Sequence, residues 1–154
     1  MKKIILSLAL VLGCLTVASA QQNALGLKFN GGGNSADISY QRFLNESNRL
    51  EINLGVGSFD FDIFAVSAKY QWVFGLDQLA PGFKWYVGAG VGTALASGLD
   101  FNLAFLGNIG IEYNFNFPLQ LALDYTPGLS ITPNFGNFGG YDQHGIRFAA
   151  RWRF

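Results

Sequence analysis

The sequence has very little cysteine and histidine, with one residue of each among its 154. Cys14 alone cannot form an internal disulfide, so the fold is not predicted to be disulfide-stapled. His144 has no neighbouring group of histidines, cysteines or carboxylates, so neither a metal site nor a cofactor is predicted. The ten basic and ten acidic residues balance, which excludes the basic excess typical of nucleic-acid-binding proteins.

Long hydrophobic runs are also scarce. The first, at residues 4–13, follows two lysines and precedes an Ala-Ser-Ala site that ends at Ala20. This order is typical of a secretory signal peptide, and the run is too short for a membrane-spanning helix. We therefore expect residues 1–20 to be a signal peptide cleaved near Ala20, and residues 21–154 to form one domain. The Val-Leu-Gly sequence before Cys14 leaves a lipoprotein signal as an alternative.

Apolar and aromatic residues are abundant, at 50% and 16% of the chain, and twenty glycines disfavour long helices. Apolar and polar residues alternate with a period of two, the pattern of β-strands. Eight stretches alternate in this way: 25–30, 36–41, 50–57, 64–72, 83–92, 108–115, 119–126 and 145–154. Short turn-forming segments separate them, and no proline lies inside a stretch. The sequence predicts an all-β, eight-stranded antiparallel up-and-down barrel.

The residues on the two faces of these strands predict which face lines the interior of the barrel and which face contacts lipid. Eight strands enclose a space just wide enough for side chains to fill, and the polar face combines glycines with a few charged residues. The predicted lumen charges are Glu51, Lys69, Lys84, Glu112, Asp124, Arg147 and Arg151. The apolar face has no charge at mid-strand and places aromatics near strand ends, as lipid contact requires. We therefore predict a transmembrane barrel with a plugged interior.

The chain ends on "GIRFAARWRF", whose alternate apolar or small positions are Ile146, Phe148, Ala150, Trp152 and Phe154. With the signal peptide and the segment "GIEYNFNFPLQLALDYTPG" at residues 110–128, this ending resembles the small outer-membrane β-barrel family of OmpA and OmpX type. The porin-like barrel proteins of Bacteroidetes are similar. The resemblance implies an outer-membrane protein whose terminal residues are an assembly signal, read by the barrel assembly machinery. Simple anchoring of Phe154 at the membrane interface is compatible with the same pattern.

No catalytic set of residues is evident. Lipid A-modifying barrel enzymes place a histidine and a serine near the outer leaflet, and His144 with Ser130 is the nearest pair here. Ile146, two residues after His144, occupies the position at which the lipid A deacylase pattern has a hydroxyl-bearing residue. We predict a monomeric, non-enzymatic protein that contacts outer-membrane lipid and lipopolysaccharide and contributes to envelope structure or surface interaction. A narrow porin and a lipid A-modifying enzyme are the alternatives.

Overall fold

The computed structural model describes residues 22–31, 35–57, 63–96, 101–130 and 145–154. Within them the chain forms nine strand segments: β1 (Asn23–Asn30), β2 (Ser35–Phe43), β3 (Asn48–Gly57), β4 (Ile63–Gly75), β5 (Phe83–Ala96), β6 (Phe101–Asn114), β7 (Leu119–Thr126), β8 (Gly128–Ser130) and β9 (Gly145–Arg153). These described residues contain no helix that is long and apolar enough to cross a membrane.

The sheet closes on itself. Neighbouring strands pair antiparallel along the chain, and β1 pairs with β9, so that Leu25 lies opposite Trp152. β7 and β8 both pair with β6 and together occupy one position in the barrel. They are separated by Pro127, which has no amide hydrogen to donate, although its carbonyl oxygen still accepts from Gly107 at 2.7 Å. The described strands confirm the predicted fold, a closed eight-stranded antiparallel barrel.

Several strands are longer than the alternation predicts. β5 continues to Ala96 and β6 begins at Phe101, whereas the period-two pattern is clear only to residue 92 and from residue 108. Apolar residues occupy both faces here, since Leu106 is buried inside the barrel while Phe105 is 57% exposed outside. Without a polar partner face, alternation loses the contrast that reveals a strand. The segment predicted as a turn after residue 126 likewise contains β8.

The two ends of the barrel differ. Short turns at 44–47, 76–82 and 115–118 connect neighbouring strands at one end of the barrel, which we call the turn end. Gly82 in the second of these turns has φ of +94°, and a Cβ there would lie 2.5 Å from the Asn114 carbonyl oxygen. This position therefore requires glycine. At the opposite, loop end, the connections fall largely outside the described residues.

The distribution of polar and apolar side chains is the reverse of that in a water-soluble protein. The buried polar and charged side chains are Lys28, Asp37, Ser39, Gln41, Arg49, Glu51, Asn53, Ser67, Lys69, Gln71, Asn108, Glu112, Gln120, Asp124, Thr126, Arg147 and Arg151. Large apolar side chains on the alternate positions are turned outward, and Ile38 and Leu54, neighbours on β2 and β3, are 52% and 50% exposed. The interior of the barrel is therefore mainly polar, with some small or apolar side chains such as Ala104 and Leu106, and its outer surface is apolar.

Candidate functional site: the charged barrel interior

Glu51 on β3 is the centre of the interior hydrogen-bond network. Its Oε1 accepts from the Lys28 ammonium at 2.9 Å and from the Lys69 ammonium at 3.3 Å. Its Oε2 accepts from the Arg151 guanidinium at 3.0 Å and from the Gln41 amide at 2.8 Å. Because β1, β2, β4 and β9 supply these four donors, the carboxylate joins strands from both sides of the closing β1–β9 pair.

Lys28 connects this centre to a second carboxylate. Its ammonium lies 2.7 Å from Asp124 Oδ2 as well as 2.9 Å from Glu51 Oε1. The Tyr86 hydroxyl also donates to Asp124 Oδ2, at 2.8 Å, from the far side of the barrel. Tyr86 has the space to do so because Gly110 lies beneath its ring, where a Cβ would come within 2.6 Å of the ring carbon Cζ and the hydroxyl. The network therefore crosses the whole interior.

Two further ion pairs extend the network toward the two ends. Near the turn end, Arg49 Nη1 donates to Glu112 Oε2 at 2.5 Å. The guanidinium carbon of Arg49 lies 5.5 Å from the Phe43 ring centre and 4.5 Å from that of Tyr86, within the range of cation–π attraction. Toward the loop end, Arg147 pairs with Asp37. Every lysine and arginine that is fully buried in the described interior thus has a carboxylate partner.

The structure brings together most of the residues predicted to be lumen charges. The buried ones that form ion pairs in the network are Glu51, Lys69, Glu112, Asp124, Arg147 and Arg151. Lys84 is placed differently: it is half-buried at the turn end, with its ammonium 5.5 Å from the centre of the Phe43 ring.

Sequence reasoning did not select three members of the network: Lys28, Asp37 and Arg49. For Lys28 and Asp37 the signal was present, because both alternate with apolar residues in their strands. Arg49 stands one position before the predicted start of its strand at residue 50, while β3 begins at Asn48. Its parity matches that of Glu51, so extending the predicted strand by one residue would have found it.

Four of the residues predicted as an assembly signal lie on the outer face of β9, and Phe154 follows directly after its end. Ile146, Phe148 and Trp152 are 59%, 45% and 54% exposed, while Ala150 and Phe154 are half-buried. The predicted signal peptide at residues 1–20 and His144 lie outside the described residues. Ser130 ends β8, and its side chain is not described. Among the described side chains, no three histidine, cysteine or acidic residues converge to hold a metal ion.

Comparison with known proteins gives a likeness of fold. No family model and no curated protein matches the chain. The crystal structure of the N-terminal β-barrel domain of Pseudomonas aeruginosa OprF matches with a TM-score of 0.57 and 16% identity, covering 86% of this chain and 96% of that one. A structure from the de novo design of transmembrane β-barrels matches with a TM-score of 0.57 and 10% identity, covering 89% and 98%. The chain therefore shares the architecture of transmembrane β-barrels.

Proposed function

We propose that this protein is a non-enzymatic integral outer-membrane β-barrel with a plugged polar interior, contributing to envelope structure or surface interaction. The observation that carries the proposal is the reversed distribution of side chains, charged inside and apolar outside. In water, such a surface would form a continuous apolar patch far larger than soluble proteins tolerate. In a bilayer the same surface contacts acyl chains, and the pairing of β1 with β9 closes the sheet where an open backbone edge would otherwise meet the hydrocarbon.

The aromatic residues at the turn end support this placement. Trp72, Phe74 and Trp152 are 45%, 42% and 54% exposed there, and the Phe74 and Trp85 rings stack at 4.6 Å between centroids. Exposed aromatic side chains of this kind are typical of the level at which a membrane meets water. Since outer-membrane barrels keep short turns on the periplasmic side, the turn end faces the periplasm in this proposal. Outer-membrane lipid and lipopolysaccharide surround a single barrel.

The interior ion pairs support the plug. They connect strands across the barrel at several levels, and the turn-end half is filled by long side chains such as Arg49, Gln71 and Tyr86. Aqueous channels occur in much wider barrels, of about 16 strands.

We expect no steady conductance from the purified barrel in planar bilayers, because a plugged interior has no continuous water path. Current recorded in concentrated potassium chloride checks this, with a porin of about 16 strands as the positive control. A boiled, unfolded sample controls for leakage caused by detergent. Regular conductance steps from heat-modifiable, folded protein would contradict the plug and favour a narrow porin instead.

Deleting Phe154 is expected to lower the amount of folded barrel in outer-membrane fractions several-fold, if the residue is part of the assembly signal. The folded form is measured by its shifted gel migration without boiling. Phe117→Ala is the control, because Phe117 is a phenylalanine at the turn end, 52% exposed, that lies in a turn rather than beside the end of β9. Equal and small losses in both variants would show that Phe154 only anchors the strand at the interface.

A further inference from the structure

The turn end of the barrel interior opens into a recess of about 530 Å³. The residues that line it are Gln22, Phe43, Asn45, Glu46, Lys84, Asn114 and Arg153. Phe43, Lys84 and Asn114 continue the inward-facing alternation of β2, β5 and β6, so the recess is the mouth of the barrel rather than a crevice on its outer wall. Its volume lies in the range of pockets that hold small organic ligands, roughly 300–1,000 Å³.

The two cations of the recess differ from those deeper in the barrel, because neither forms an ion pair. Lys84 and Arg153 form no ion pair with any carboxylate of the described residues. Glu112 lies opposite Lys84 in the β5–β6 register, but its Oε2 is taken by Arg49 at 2.5 Å and its Oε1 accepts from Asn114 at 3.3 Å. The nearest cross-strand acid is therefore already engaged.

Arg153 is held in place while part of its hydrogen-bonding capacity is unused. Its Nη2 donates to the backbone carbonyl oxygens of Phe115 and Phe117, at 2.7 and 3.2 Å, which orients the guanidinium group. Its Nε has no hydrogen-bond partner among the described residues, and the same is true of Asn114 Oδ1 in the same recess. Both of these atoms are enclosed by the protein, whereas Arg153 Nη1 is not and donates to no group of the described residues, so an acceptor in the recess can bond to Nη1.

The remaining lining defines the chemistry of that ligand. Among the described residues that line the recess, Glu46 is the only one with an acidic side chain, and it lies exposed on the 44–47 turn, so two cations face one acid. Gln22 supplies an amide that can both donate and accept, as a peptide group does. Asn45 supplies an amide donor, because its Oδ1 already accepts from the backbone N–H groups of Ser47 and Asn48 at 2.9 and 2.8 Å. Phe43 adds an apolar wall, and the recess is far larger than a simple inorganic anion needs.

We infer that this recess binds a short acidic peptide segment, with a carboxylate between Lys84 and Arg153 and peptide groups against the amide side chains. Charge-assisted hydrogen bonds from a lysine and an arginine supply most of the selectivity for the carboxylate. The site requires the barrel fold but not the plug, so it stands independently of the conductance prediction. In the orientation proposed above it faces the periplasm.

The test is an NMR titration of the isotope-labelled barrel in detergent micelles. The probe is a tripeptide of alanine, glutamate and alanine, blocked at both ends; the same peptide with glutamine in place of glutamate tests the need for charge. We expect saturable amide chemical-shift changes confined to residues around Lys84, Asn114 and Arg153. The affinity for the glutamine peptide should be lower by about tenfold or more. Glu46→Gln should strengthen binding of the glutamate peptide by removing the opposing charge.

Variants decide whether the recess is responsible. The double variant Lys84→Gln/Arg153→Gln should weaken binding by about tenfold or more, whereas Arg42→Gln, which removes an exposed cation at the same end but outside the lining, should not. Heat-modifiable migration verifies folding; if the double variant does not fold, Lys84→Gln alone carries the test, because Lys84 makes no hydrogen bond or ion pair in the described barrel. Absence of saturable shifts, or equal binding by the Lys84 and Arg42 variants, would overturn the site. Equal affinity for inorganic phosphate would overturn its assignment to a peptide.

Discussion

Replacing Glu51 with glutamine is expected to lower the free energy of unfolding by about 3–5 kcal/mol, the usual effect of removing one partner from a buried ion pair. The carboxylate is fully buried and neutralises Lys69 and Arg151, for which no other carboxylate partner lies within ion-pair distance in the described interior. Lys28 is less affected, because it keeps Asp124 at 2.7 Å. The measurement is urea unfolding of the barrel refolded into lipid vesicles, followed by gel migration and tryptophan fluorescence.

Two further variants show whether the effect comes from unpaired buried charge. Glu46→Gln removes an exposed carboxylate from a turn and is expected to leave the unfolding free energy nearly unchanged. Adding Lys69→Met to Glu51→Gln should recover part of the lost stability, because one of the uncompensated cations disappears. If Glu51→Gln is as stable as the parent protein, the cations are solvated by water that reaches the network, and the interior is not sealed.

The second large effect is expected from Val91→Arg on the outer wall. Val91 is 45% exposed near the middle of β5, between Ala68 on β4 and Phe105 on β6. An arginine at the midplane of a bilayer destabilises a transmembrane barrel by about 2–4 kcal/mol, because the charge is taken out of water without a partner. Urea unfolding in lipid vesicles measures the change directly.

Leu79→Arg is the matched control for Val91→Arg. Leu79 is even more exposed, at 71%, but it lies in the 76–82 turn, beyond the ends of the strands. The same substitution there meets water or headgroups and should be nearly neutral. Equal, small effects at both positions would mean that the outer wall faces water, and the proposed membrane location would be wrong.

Some elements could be predicted closely from sequence because their alternation is complete. The stretch 119–126 alternates without interruption, and β7 spans Leu119–Thr126 in the structure. By contrast, β5 and β6 extend through residues where small and apolar side chains occupy both faces. The parts of these two strands nearest the loop end could therefore not be recognised from the pattern. Period-two reasoning depends on a difference between faces, and it fails where the difference vanishes.

The candidate site, too, could be predicted from sequence only in part. Local sequence places Glu51 and Arg151 on the polar faces of their strands, yet they are 100 residues apart, and nothing local shows that they meet. Their pairing depends on the closure of β1 against β9 and on the stagger of neighbouring strands. The same applies to Lys84, a predicted lumen charge that stays unpaired because Arg49 takes Glu112.

The amino-acid sequence by itself determined that the chain forms β-strands, with charged residues on one face and apolar residues on the other, because these properties repeat every second residue. Only the tertiary structure decided which charges neutralise one another and which cations stay available at the turn-end recess. Partner choice inside a narrow barrel is a competition among side chains from distant strands, and its outcome depends on distances that exist only after closure.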